Sequence, residues 1–68
     1  MPQWWVFIQD TNGSRRFVGA PYCFASREAA DARIEAIKSA HNKPHKVDYW
    51  AVEGNSESSV KERYGVEG

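Results

Sequence analysis

The sequence predicts an α+β fold: a three-stranded antiparallel sheet of chain order β-β-α-β and spatial order 2-1-3, packed on one long helix and followed by a short C-terminal helix. Three features carry this. Residues 26–41 repeat apolar side chains at the helical period, residues 3–9 alternate as a strand with apolar side chains on both faces, and Asp10-Thr11-Asn12-Gly13 separates that strand from a second apolar run.

In the first strand Trp4, Val6 and Ile8 point one way and Trp5 and Phe7 the other. A strand that is apolar on both sides belongs between two covered faces, which places it at the centre of the sheet. Asn12-Gly13 signals a hairpin because both residues tolerate positive φ. A two-residue turn sets Ile8 opposite Phe17 and Asp10 opposite Arg15, an opposite-charge pair. A three-residue turn with a bulge at Gly13 sets Phe7 opposite Phe17 instead. The first register is preferred, with the return strand over residues 14–19. Residues 19–24 then form a loop that delivers the chain to the helix, and Phe24 or Ala25 packs back on the first helical turn as a staple does.

In the helix, Ala30, Ile34, Ile37 and the edge position His41 fall on one line, with Ala29, Arg33, Ala36 and Ala40 along one shoulder. Ser26 is the N-cap, and Glu28 and Asp31 complement the positive end of the helix dipole. Arg27, Glu28, Asp31, Glu35 and Lys38 form the solvated side, and Pro44 stops the helix near His41 or Asn42. So much alanine lets the helix approach a sheet closely but adds little volume. The core must therefore be filled mainly by aromatic residues, of which there are three each of Trp, Tyr and Phe.

Asn42-Lys43-Pro44-His45 turns the chain into a third strand over residues 46–53, where Val47, Tyr49 and Ala51 alternate with Asp48, Trp50 and Val52. The alternation leaves open which set faces inward. Gly54-Asn55 breaks the strand. Residues 1–55 thus make the ββαβ domain and residues 56–68 a C-terminal tail. In the tail, Ser59-Val60-Lys61-Glu62 fits a capping box and Gly65-Val66 a Schellman stop, predicting a short helix over residues 60–64.

A helical connection leaves the third strand parallel to the second and hence antiparallel to the first. The long helix then covers the face bearing Trp4, Val6, Ile8 and Phe17. The face bearing Trp5, Phe7 and Val18 needs another cover, which is the C-terminal helix, a second copy of the chain, or a partner molecule. Rimmed by Arg16, and by Lys46 or Asp48, that face is the candidate partner-binding surface. Glu28, Asp31 and Glu35 on the long helix form a second candidate, a mimic of phosphate charge toward a basic partner.

The nine basic and nine acidic residues cancel, so no net field draws the chain to nucleic acid or an anionic membrane. A single cysteine makes no internal disulfide, which points to a reducing, cytoplasmic setting, and Cys23 reads as a small buried residue rather than a nucleophile. The N-terminal apolar run is too short to span a bilayer. His41 and His45 have helical ligand spacing, but Pro44 falls between them and no third ligand is evident, so neither a metal nor another cofactor is implied. No phosphate loop, nucleophile elbow or Cys-His-Asp grouping is present, and catalysis is not expected.

Residues 16–37, with Phe17-Val18, Pro21-Tyr22-Cys23-Phe24 and a cap followed by Glu28-Ala29, resemble the strand-to-helix region of antitoxins of the HicB type. No function is carried over from that resemblance. In size and style the chain is also similar to phage-encoded inhibitors, anti-CRISPR proteins among them. The expected function is a small non-enzymatic protein-binding module, in its sharpest form a phage-type inhibitor of a larger macromolecular complex. The alternatives are a nucleic-acid-binding domain that stacks bases on an aromatic sheet face, and a homodimeric antitoxin or regulatory protein.

Overall fold

Strand β1 (Gln3–Gln9) has apolar residues on both sides because it is paired along both edges and covered on both faces. The computed structural model describes residues 2–40 and 47–67. The remaining elements are β2 (Arg15–Phe17), β3 (Cys23–Phe24), α1 (Arg27–Ala40), β4 (Asp48–Gly54), α2 (Glu57–Tyr64) and β5 (Val66–Glu67). Along one edge of β1, β4 pairs antiparallel for its full length, from Gln3 opposite Gly54 to Gln9 opposite Asp48. Along the other edge, β2 takes the C-terminal half and β3 the N-terminal half, both antiparallel. β5 then joins β2 in parallel.

The fold is therefore α+β, but its sheet is mixed and five-stranded, not the expected three-stranded antiparallel sheet of order 2-1-3. Pairing of β1 with β2 and β4 is contained within it. The added strands have a physical cause. β2 is too short to satisfy its whole edge of β1, so part of residues 19–24, expected as loop, pairs there: the Val6 N–H donates to the Tyr22 carbonyl (2.8 Å). β5 pairs with the outer edge of β2 in the same way.

The hairpin adopts the register that was not preferred, with Phe7 opposite Phe17, Ile8 opposite Arg16 and Gln9 opposite Arg15. A two-residue type I′ turn needs positive φ at both central residues. Here Gly13 has φ +89° and no described non-glycine residue has positive φ. Asn12 instead accepts the Ser14 N–H on its side-chain oxygen (2.9 Å), and Asp10 accepts the Thr11 N–H on Oδ1 (2.8 Å). These local bonds hold a three-residue turn, so the expected Asp10–Arg15 pairing is absent from the ladder.

A one-residue change of register moves side chains to the opposite face. Phe17 consequently lies with Trp5 and Phe7, and Val18 lies under α1, the reverse of the expected assignment. On the α1 side, Val6, Val18, Ala30 and Ile34 form the buried cluster, flanked by Trp4, Ile8, Phe24, Tyr49 and Ala51. On the other side, Trp5, Phe7, Val52, Val60 and Val66 form a second cluster beneath α2. The inward set of the third strand is thus divided: Tyr49 and Ala51 face α1, while Val52 faces α2.

Ser26 caps α1 as predicted, its Oγ accepting the Ala29 N–H (3.2 Å). Ala36 and Ala40, placed on the shoulder of the buried stripe, are exposed, whereas Ala29 and Arg33 are half-buried. The predicted helix end at His41 or Asn42, the turn over residues 42–45 and the first residue of the third strand lie outside the described residues. α2 is longer than predicted because its cap is Ser56, whose Oγ accepts the Ser59 N–H (3.2 Å), and not Ser59. Gly65 closes the helix at φ +67°, donating its N–H to the Lys61 carbonyl. Val60 and Val66 are among the most buried residues, so residues 57–67 complete the core of the sheet. No described helix is long and apolar enough to cross a membrane.

Candidate partner-binding surface

Trp5, Phe7 and Val18 retain only 7%, 0% and 9% of their exposure. As a display face for a partner they are corrected by the fold: α2 lies over Trp5 and Phe7, and the hairpin register turns Val18 under α1. The aromatic side chains pack as a row on the α2 side of the sheet. Phe17 and Tyr22 stack with centroids 4.7 Å apart, and Trp5 lies about equally far from both, at 6.0 and 6.1 Å. Phe7 lies parallel to Trp50 at 6.0 Å and meets Tyr64 at 5.8 Å. The Trp5 indole N–H donates to the Gly54 carbonyl (3.0 Å), which satisfies its one polar atom.

Arg15, expected from sequence to pair with Asp10, is committed elsewhere in the fold. Its Nη1 donates to the Tyr64 carbonyl (2.8 Å) and its Nε to Gln9 Oε1 (3.2 Å), while the guanidinium sits 5.2 Å from the Trp50 ring centroid and 5.9 Å from that of Phe7. A cation at the last turn of α2 also complements the helix dipole. This tie between helix and sheet had no sequence signal, because Arg15 and Tyr64 are 49 residues apart.

The other predicted site residues are exposed. Glu28, Asp31 and Glu35 run along the outer side of α1, with Asp31 Oδ2 3.8 Å from Arg27 Nε. They stand on the opposite side of the sheet from Trp5 and Phe7, so the structure does not bring the two candidate groups together. Arg16 lines a groove of about 270 Å³ with Ile8, Val18, Ile37, Tyr49 and Arg33. Arg33 donates from Nη2 to the Gly19 carbonyl (3.3 Å), and its buried Nε has no partner among the described residues. Lys46, a possible rim residue, lies outside the described residues.

With both faces covered, the longest edge of the sheet left without a neighbouring strand among the described residues is that of β4, which sequence reasoning did not single out. β4 pairs with β1 alone among the described residues. The Val6 N–H donates toward β3 and the Val6 carbonyl accepts from Val18 (3.4 Å), so Val6 directs both main-chain groups away from β4. Main-chain direction alternates along a strand, so Trp5 and Phe7 direct theirs toward β4 and exchange bonds with Val52 and Trp50. Tyr49, Ala51 and Glu53 therefore point their N–H and C=O groups outward. Beside them Trp50 is 39% exposed, the one exposed large hydrophobic side chain among the described residues.

Two side chains near the surface, Tyr22 and Cys23, are held toward their protonated forms. The Tyr22 O–H donates to Glu57 Oε1, and this bond, then burial, raises the phenol above its ordinary value. Burial likewise pushes up the Cys23 thiol, whose Sγ donates to Gln3 Oε1 (2.8 Å), so little thiolate is present at neutral pH. Among the described residues no group of three or more His, Cys, Asp and Glu could hold a metal ion, and His41 and His45 lie outside them. In comparisons with known proteins, the chain matches no family model, no curated protein and no solved structure.

Proposed function

We propose that this chain is a small non-enzymatic protein-binding module that takes an extended segment of a protein along the outer edge of β4. The observation that carries the reading is the seven-residue strand Asp48–Gly54, satisfied by β1 on one side and presenting the main-chain groups of Tyr49, Ala51 and Glu53 on the other. An added strand gains a ladder of main-chain bonds there, and side chains of alternating direction supply selectivity. Edge strands are commonly blunted by lysine, proline or a bulge. β4 contains no lysine or proline, its register with β1 runs without a bulge, and its charged residues, Asp48 and Glu53, stand toward its two ends. Where the captured segment belongs to a larger macromolecular complex, such a module acts as an inhibitor of the phage-encoded, anti-CRISPR-like kind in a cytoplasmic setting.

The alternative of base stacking on a sheet face has less to stand on, because Trp5 and Phe7 are covered and Arg15 is engaged. The test is capture from a native extract, with nuclease treatment, by the parent chain and by Ala51→Pro. That substitution removes one outward N–H and leaves the ladder to β1 intact. A nuclease-resistant protein held by the parent and lost by the variant supports the reading. Equal capture by both, or recovery of nucleic acid alone, overturns it.

A further inference from the structure

The edge of β4 is complementary to itself, and we infer that a second copy of this chain pairs there, β4 against β4 antiparallel about a two-fold axis through Ala51. This rests on the strand-addition reading of the same edge and names its occupant.

An antiparallel ladder joins outward-pointing residues to outward-pointing residues, each such pair exchanging two main-chain bonds. On β4 those residues are Tyr49, Ala51 and Glu53, as the pairing of Trp50 with Phe7 and of Val52 with Trp5 requires. Centring the pair on Ala51 sets Ala51 opposite Ala51, Tyr49 opposite Glu53 and Glu53 opposite Tyr49. This register matches every outward residue of β4 with another. A shift of two residues either way leaves one without a partner inside the strand.

Side chains agree with this arrangement. Asp48 falls opposite Gly54 of the second copy, and Glu53 opposite its Tyr49, so neither carboxylate directly faces a like charge. Trp50 falls opposite Val52 of the second copy, extending the cover of its exposed ring. The chain carries no formal net charge at pH 7, so no long-range repulsion opposes association of two copies. The axis stands perpendicular to the sheet, so the two α1 helices share one side of a continuous sheet and the two α2 helices share the other. A protein segment captured at this edge displaces the second copy, which makes capture compete with self-association.

The test is the mass of the full chain in solution, by sedimentation or light scattering over a dilution series, with register-specific cross-linking. The parent is expected to show the mass of two 7.7 kDa chains when concentrated. Ala51→Pro should remain single at the same concentrations while keeping its far-ultraviolet spectrum. Should that variant fail to fold, Glu53→Pro removes another outward N–H at an exposed position and serves in its place. In a Cys23→Ser background, Ala51→Cys should form an intermolecular disulfide under mild oxidation, because the paired Cα atoms stand about 5.5 Å apart, within disulfide range. Glu53→Cys should not, since its opposite residue is Tyr49. A parent that stays single at every concentration overturns the inference, as does a dimer indifferent to the proline or one that cross-links at 53 and not at 51. If the parent stays single while Ala51→Pro still loses a captured protein, the self-pairing inference fails and strand addition stands. If both chains retain the captured protein, strand addition itself fails.

Discussion

Replacing Gly54 by alanine tests how α2 is seated on the sheet. A Cβ at this position lands on Cγ2 of Val60 and comes within 3.4 Å of Trp5 Cδ1. Val60 is 1% exposed, so it has no solvent side into which to turn. Gly54 does not have positive φ, so the backbone itself accepts alanine. Stiffening the unfolded chain contributes about 0.4–1 kcal/mol in favour of the variant, whereas overpacking a filled core costs about 1–3 kcal/mol. The net loss should be about 1–2 kcal/mol. Val60→Ala alone removes two buried methyl groups and should cost about 2–3 kcal/mol. In the double variant the new methyl occupies vacated space, so the combined loss should fall short of the sum by about 1 kcal/mol. Urea denaturation of the four proteins, followed by tryptophan fluorescence and circular dichroism, measures the cycle. A Gly54→Ala protein as stable as the parent, or strict additivity, would refute the contact between Gly54 and α2 as the reason this residue is glycine.

Trp5→Ala removes the largest side chain of the α2-side cluster and the bond to Gly54. It should cost about 3–5 kcal/mol, and deletion of residues 56–68 should also lower the melting temperature. A Trp5→Ala protein that melts like the parent would place Trp5 outside the core. Gly13→Val forces a β-branched residue to φ +89°, and denaturation should register a loss of about 1–3 kcal/mol. The Tyr22 phenol is raised above 10.0 by its bond to Glu57. The stabilisation from its protonated form is therefore present below pH 10.0 and is lost as pH rises through the higher folded value. Cys23, raised from 9.0 by burial, adds a loss of the same sign that begins lower. In a Cys23→Ala background, melting scans of Tyr22→Phe should lack the part of the alkaline decline that the parent phenol produces. Matching declines would show that the bond to Glu57 contributes nothing to stability.

The long-range architecture was legible where a local pattern coincided with burial. The uninterrupted apolar run at Trp4 to Ile8 marked the central strand, and Ser26 with Ala30 and Ile34 marked the start and inner face of α1. The hairpin was legible but its register was not, because the choice was made by the side-chain bonds of Asn12 and Asp10 rather than by Gly13 alone. That one choice exchanged Phe17 and Val18 between faces and misplaced Val18 as a binding residue. β3 and β5 are two residues each, too short for any periodicity, and arise from main-chain groups left over by β2. Gly54 carried a signal with two meanings: it ends β4, and it also admits Val60 against the backbone. The candidate edge was implicit in the order 2-1-3, which puts the third strand outermost. The sequence directed attention to the aromatic faces instead, because aromatic side chains suit a core and an interface equally well.

Residue-resolved amide hydrogen exchange across β4, in dilute protein where single chains predominate, addresses the open edge most directly. The N–H groups of Trp50 and Val52 should be protected by β1, while those of Tyr49, Ala51 and Glu53 exchange quickly. Addition of a pairing strand should then protect Tyr49, Ala51 and Glu53 and leave the other two little changed. Uniform protection in the single chain would mean that another part of the protein already occupies this edge, and rapid exchange at Trp50 and Val52 would mean that the register between β1 and β4 is shifted by one residue.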